Sequence, residues 1–307
     1  AVQHDAASTT AASADVPGRG IACMLTAVFV FSVQDAVVKW ITADYPVMQV
    51  IFFRGVFGMI SCAVIVWRDG GWAKARTRRL GAHLWRGGLI LGALISFYLA
   101  ISMMPLADVV AIAFSAPLFM TALSVPLLGE HVGARRWAAV GVGFVGVVIV
   151  VRPGAGVLEP AALLAIVSSV LFAIGMTVTR RLSRSESSAT ILLYFTLLNI
   201  VVGGAFMPFQ WVTPALADGL LLASVGLTGS IGAYLMFEAF RLTPVAVVAP
   251  FEFSALIWAM LFGYLVWGDV PGGAVFLGAA VVVGSNLYIV HREARRKVAA
   301  PPPRLPA

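Results

Sequence analysis

PLADVVAIAFSAPLFMTALSVPLLGE at residues 105–130 and PVAVVAPFEFSALIWAMLFGYLVWGD at residues 244–269 are one segment written twice. Laid over each other without a gap, they place Pro105 on Pro244, Phe114-Ser115-Ala116 on Phe253-Ser254-Ala255, and Gly129-Glu130 on Gly268-Asp269. The same register carries Tyr98-Leu99-Ala100 onto Phe237-Glu238-Ala239, and a slightly longer offset carries Phe31 and Lys39 onto Phe172 and Arg180. Leucine, valine and alanine coincide by chance in apolar sequence. An ungapped proline, a Phe-Ser-Ala triplet and a Gly-acid pair are not what chance favours, so the chain carries an internal repeat.

Both copies are apolar all round and close to the ~20 residues that a ~30 Å hydrocarbon core requires of a helix. Eight similar runs accompany them. The predicted spans are Ile21–Ile41, Val47–Trp67, Gly87–Met104, Val109–Leu128, Trp137–Val151 (starting near Ala134), Ala161–Thr179, Ala189–Phe209, Leu220–Phe240, Val245–Trp267 and Gly272–Val290. Composition agrees: 60% of residues are hydrophobic and 11% charged, against about 45–50% and about 25% in soluble domains. Strands of a membrane barrel would alternate polar and apolar residues, and these runs do not. The fold class expected is therefore all-α integral membrane, with ten transmembrane helices. Ile21–Ile41 is long enough to span and carries Asp35 and Lys39, so it reads as a span and not as a signal peptide. Residues 1–20 read as a disordered tail, 21–152 and 161–291 as the two five-helix repeats, and 292–307 as a basic, proline-rich tail. Cys23 and Cys62 lie in apolar runs and read as small core residues.

The net charge of +7 sets orientation and does not suggest a nucleic-acid partner, because the cations cluster between apolar runs. Of the 21 Lys and Arg, all but Lys39, Arg54 and Arg152 fall on the side of the termini, which predicts that both termini are cytoplasmic. A unit of five helices is odd, so its second copy enters the membrane from the opposite side. The loops have exchanged charge accordingly: Arg135 and Arg136 become Ala274 and Val275, and the cationic loop after the second span corresponds to the uncharged-to-acidic stretch 213–218. Inverted repeats of this kind belong to secondary transporters, whose substrate sits at the repeat interface near the midplane.

The segment Met104-Pro105-Leu106-Ala107-Asp108-Val109-Val110-Ala111, the Gly129-Glu130 ending and Ala249-Pro250-Phe251-Glu252-Phe253-Ser254-Ala255-Leu256-Ile257-Trp258 resemble the drug/metabolite transporter superfamily in its EamA branch. The resemblance covers Gly20 to Arg292. It implies helices one to four and six to nine around a central cavity, with helices five and ten at the periphery. Within the branch the chain is similar to bacterial exporters of aromatic amino acids, and Phe52-Phe53-Arg54 and Trp85-Arg86-Gly87 resemble S-adenosylmethionine carriers.

Ionisable groups inside spans are costly and mark cavities or partners. At 1.5 Å per residue, Asp35 and Arg54 lie ~9 and ~10 Å from the far ends of adjacent helices. They are expected either to lock those helices as an ion pair or to receive the two charges of a zwitterion. Lys39, one turn beyond Asp35 on the same face, is expected to join them in a charged cluster at the mouth opposite the termini, with Gln34 beside them. Glu252 has no cation at equivalent depth, and Glu238 sits nearer the terminal side beside Arg241. Tyr98, Phe114, Tyr234, Phe253 and Trp258, with Ser115, are the expected apolar and hydroxyl lining, although each aromatic alone also suits packing. Pro117 and Pro250 lie inside spans as candidate hinges, and because they are not repeat equivalents they predict halves that kink differently. Asp108 is expected to cap helix four. Gly141, Gly146, Gly278 and Gly284 are expected to allow close helix packing.

The function expected is an exporter of aromatic or other apolar amino acids, or of related metabolites, in the bacterial inner membrane, working by alternating access as a monomer. Its partners are lipid, a small solute and protons as a candidate coupling ion; no cofactor or metal is expected. Uptake of S-adenosylmethionine or another metabolite is the alternative. A polytopic enzyme or scaffold is the rival class, opposed by histidines confined to tails and membrane ends and by serines without a base.

Overall fold

The computed structural model describes residues 6–72, 76–129, 132–152, 159–183 and 185–299. Its regular secondary structure among these residues is all helical, with ten helical segments long and apolar enough to cross a membrane. In chain order the elements are α1 (Ala6–Ile41), α2 (Val47–Arg68), α3 (Leu80–Met103), α4 (Leu106–Ala113), α5 (Ala116–Leu128), α6 (Ala134–Val151), α7 (Pro160–Leu182), α8 (Ser188–Gln210), α9 (Leu216–Leu242), α10 (Val245–Glu252), α11 (Ser254–Phe262), a π-helical turn (Gly263–Trp267) and α12 (Gly273–Ala299). Helices satisfy their own backbone groups, the condition that lipid imposes. Ten crossings return the chain to the face from which the first span enters; that face is termed terminal and the opposite one far.

The repeat has a backbone signature. Pro105 opens α4 at φ −55°, ψ 138°, and Pro244 opens α10 at φ −54°, ψ 137°. Both spans then break at the same place, α4 giving way to α5 across Phe114-Ser115 and α10 to α11 at Phe253. Both end on a left-handed glycine, Gly129 at φ 69° and Gly268 at φ 70°, a conformation that glycine adopts without the cost a Cβ incurs. The expectation of halves that kink differently is therefore corrected. Pro117 removes the donor that would bond Ala113, Pro250 removes one on the other side of its break, and both interruptions fall at the shared Phe. The copies do differ further on, where the second finishes in the π-helical turn and the first continues as α-helix with Pro126 inside it.

Packing is organised by small residues. Helices α1 and α9, α2 and α8, α3 and α7, and α6 and α12 form the main pairs, so the fifth and tenth spans pack on each other at the periphery. A Cβ on Gly146 would lie 2.8 Å from the Gly278 carbonyl oxygen, and one on Gly278 2.6 Å from that of Gly146. Gly141 and Gly284, expected to serve the same purpose, face open space. Gly143 takes their place, against Leu118 and Ser285.

Three boundaries differ from expectation. Helix α1 begins at Ala6, so the part of the expected tail from Ala6 onward continues the helix, as its alanine content favours. Likewise α12 runs to Ala299; residues 1–5 and 300–307, Lys74 and Glu130 lie outside the described residues. Helix α3 begins at Leu80, which puts Arg86 within a span instead of in a loop.

Candidate functional site

A cavity of about 430 Å³ lies between the halves, walled mainly by α1, α3, α4 and α7, with residues from α2, α5, α8, α9, α10 and α11, within the ~300–1,000 Å³ range of small-molecule sites. Six aromatic rings line it: Phe31, Phe97, Tyr98, Phe114, Phe172 and Phe195. Among them stand Gln34, Asp35, Arg54, Ser168, Ser169 and Glu252. Phe31 and Phe172 are equivalents in the repeat, so the pseudo-symmetry faces one ring of each half into the same space.

Tyr98 is fully buried and anchors the polar side. Its hydroxyl accepts from Gln34 Nε2 at 3.0 Å and from Arg54 Nη1 at 2.9 Å. The Gln34 oxygen in turn lies 3.5 Å from the Thr228 hydroxyl. The guanidinium of Arg54 is seated over Gly229, where a Cβ would come within 2.8 Å of Nη1. Asp35 and Arg54 share the cavity wall, but their charged atoms do not come within 4.0 Å of each other; Arg54 donates to Tyr98 instead.

Lys39 does not join this group. Its ammonium points to the far face, donating to the Met104 carbonyl at 3.0 Å and to Asp269 at 3.3 Å, and lies 5.0 Å from the centre of the Trp267 ring. Helix rotation explains the change: Met104 ends α3 with an exposed carbonyl, and an ammonium at that depth satisfies it. Tyr234 and Glu238 are also displaced, into a groove at the terminal face, where Glu238 accepts from Arg241 Nη2 at 2.6 Å. Phe253 packs behind the cavity at a tilt against Phe114, with ring centres 4.9 Å apart, and Trp258 packs against Phe29 at 4.9 Å. Ser115 is fully buried at the break, its hydroxyl without a hydrogen-bond partner among the described residues. Pro117 faces the cavity, whereas Pro250 is absent from its wall. Asp108 makes no capping hydrogen bond, since Pro105 occupies the N-cap position.

Sequence reasoning missed Phe31, Phe97, Phe172, Phe195, Ser168 and Ser169. Phe31 and Phe172 carried a signal, because an aromatic pair preserved across an inverted repeat falls near the interface of the halves. The others are unremarkable residues in apolar helices.

Packing is closer at the far face than at the terminal one. Helix α4 packs on α11 there, while their counterparts α10 and α5 make no comparable packing among the described residues at the terminal side. Polar ties add to this packing: the Lys39–Asp269 pair, and Gln49 exchanging both amide bonds with Val212 at 2.6 and 3.0 Å. At the same face Tyr45 donates to Asp218 at 2.8 Å. Tyr45 lies outside the spans. The Asp218 carboxylate that accepts its proton raises the phenol above its ordinary value, with burial adding to the effect, so this bond persists through neutral and mildly alkaline pH. Under the register that sets Lys39 on Arg180, Tyr45 falls on Glu186 and Asp218 on Thr77. Thr77 donates to Glu186 at 2.7 Å: the same tie, with donor and acceptor exchanged, holds the opposite face.

Toward the terminal face the cavity adjoins a vestibule with which it shares Phe31, Arg54 and Phe195. The vestibule shares Leu192, Ser230 and Phe237 with the groove that reaches Arg68 and Asp69. Arg54 thus stands at the junction of cavity and vestibule.

The sequence pattern of the EamA-like transporter family matches residues 18–152 and again residues 159–290. The chain belongs to that family. This EamA-like protein is 28% identical over 274 residues to the S-adenosylmethionine uptake transporter of Rickettsia bellii, covering 89% of this chain and 94% of that one. It is 28% identical to the riboflavin transporter of Rhizobium johnstonii, over 91% of this chain and 93% of the relative. It is also 28% identical to the pseudopaline exporter CntI of Pseudomonas aeruginosa, over 88% and 95%. A crystal structure with 20% sequence identity superposes with a TM-score of 0.64, covering 90% of this chain and 98% of the other. That likeness is one of fold. The family and these relatives make the chain a multi-pass membrane transporter of the drug/metabolite superfamily.

Proposed function

We propose that this EamA-like protein is a secondary transporter of the bacterial inner membrane, with cytoplasmic termini, that carries a small zwitterion built from an amino-acid head group and a flat body. S-adenosylmethionine is its first candidate. One observation carries the reading: Arg54, Asp35 and Glu252 face a single cavity whose remaining wall is largely apolar and includes six aromatic rings. A guanidinium suits the solute's carboxylate, and the carboxylates suit its cations. Aromatic faces suit a planar ring or a sulfonium. Burying either charge of a zwitterion without such a partner is costly.

The count of charges favours the sulfonium compound over an ordinary amino acid. Two carboxylates against one arginine match a solute that brings one carboxylate and two positive centres. An aromatic amino acid, the substrate expected from sequence resemblance, matches Arg54 and one carboxylate and leaves the other for a proton. Riboflavin, carried by one relative, has the flat body without the charges. A sulfonium-bearing amino acid also agrees with the S-adenosylmethionine uptake of the Rickettsia relative.

Uptake into proteoliposomes of labelled S-adenosylmethionine, with tryptophan and riboflavin as competitors, tests this. Saturable uptake, resisting riboflavin and lost on Arg54→Ala, is expected. Removing one partner of a desolvated charge pair costs about 2–5 kcal/mol, a loss of roughly thirtyfold or more. Uptake of riboflavin in preference to both zwitterions would overturn the assignment.

A further inference from the structure

We infer a second ligand site: the vestibule between α2, α3, α8 and α9 binds an oxyanion, a carboxylate or a phosphate, on Arg54 and Arg86. This compartment is about 140 Å³, room for an anionic head group and not for a whole drug-sized solute. Its wall contains two arginines, Thr196, Asn199 and Ser230, and no aspartate or glutamate. The central cavity has the opposite balance, so the two compartments differ in the charge they favour.

Neither arginine is in an ion pair, and the carboxylates nearest Arg54 line the central cavity and not the vestibule. Among the described residues no carboxylate lies within 4.0 Å of either guanidinium. Arg86 donates through Nε to Thr179 Oγ1 at 2.8 Å and lies 5.5 Å from the Phe195 ring centre; its terminal amino groups have further donors to give. Arg54 uses Nη1 on Tyr98 and keeps the rest. Two guanidinium groups held in a low-dielectric wall without an acid favour an anion between them. Asn199, 2% exposed in the same wall, has an amide oxygen without a hydrogen-bond partner among the described residues, an acceptor for a donor on the incoming group. Because Arg54 belongs to both walls, an oxyanion held here passes to the central cavity by exchanging Arg86 for the groups around Tyr98. The site is defined by charge alone and does not depend on which solute is carried.

The full chain, with Cys23 and Cys62 replaced by alanine and Thr196→Cys as reporter, is purified into phosphatidylcholine nanodiscs. Its thiol is labelled with the anionic ethylsulfonate and the cationic trimethylammonium methanethiosulfonates. Relative to a small free thiol, the anionic reagent is expected to gain about tenfold over the cationic one, and Arg86→Gln should remove most of that gain. A ratio at or below that of the free thiol overturns the site. Ser230→Cys provides a second reporter should Thr196→Cys fail to fold. Slowing of the anionic label by sodium acetate supports a soluble carboxylate as occupant, and slowing by added phosphatidylglycerol supports a lipid phosphate. A charge preference that neither acetate nor lipid competes away overturns binding.

Discussion

Arg54 is held from two directions, by the Tyr98 hydroxyl at 2.9 Å and by the absence of a side chain on Gly229. A methyl at Gly229 would meet only the end of the arginine, which can swing aside. A methyl at Gly226 would lie 2.7 Å from the Gly58 backbone nitrogen, which cannot. Gly229→Ala is therefore expected to leave the melting temperature unchanged while lowering uptake about tenfold, or ~1.4 kcal/mol. Gly226→Ala should cost about 1–3 kcal/mol of stability. Thermal melts beside uptake rates separate the two; equal melting of both variants would contradict the placement of Arg54. Glu252→Gln keeps the shape and removes the charge, so transport should fall with folded yield intact, and an unaltered rate would take Glu252 out of the mechanism. Asp35, Arg54 and Glu252 were legible as candidates because a charge inside an apolar run is conspicuous. Their partners were not, since depth along a helix is readable from sequence but rotation about its axis is not. That is why Lys39, at a suitable depth, turns out to serve the far face.

The broken helices are the elements that can move. Each of the fourth and ninth spans divides at its shared phenylalanine, leaving α4 and α11 closed over the far face and α5 and α10 apart at the terminal face. Lys39 ties the end of α1 to the ends of α3 and the π-helical turn, so it latches the closed face. Lys39→Ala should shift the protein toward opening there by about 1 kcal/mol, roughly fivefold in population. A fluorophore pair across the far loops would report it, and an unchanged distance distribution would reduce the pair to surface decoration. Tyr45–Asp218 and Thr77–Glu186, present on both faces together, are expected to persist in both states. The peripheral contact should be rigid: Gly146→Val would drive a branched side chain into the Gly278 carbonyl, costing about 1–3 kcal/mol without touching the cavity. Existence and number of the spans were readable from hydropathy alone. The shared break was not, because proline positions were weighed one by one, and the common Phe marks the interruption better than either proline.

Across the whole molecule, the two halves share backbone geometry down to the angles at Pro105 and Pro244 while differing in where their cations lie. Antisymmetry of this kind gives one sequence design two energetically similar arrangements, one open to each face. In the arrangement seen, the cavity adjoins a vestibule toward the terminal face and is more closely packed at the other. The most direct measurement places a single cysteine at Ala113, in the cavity wall, in a background without Cys23 and Cys62. It is then exposed to a membrane-impermeant thiol reagent from either face of sealed proteoliposomes. Labelling is expected from both faces, fast from the terminal side at rest and shifted toward the far side when Lys39 is also replaced by alanine. Labelling from one face alone under every condition would contradict it.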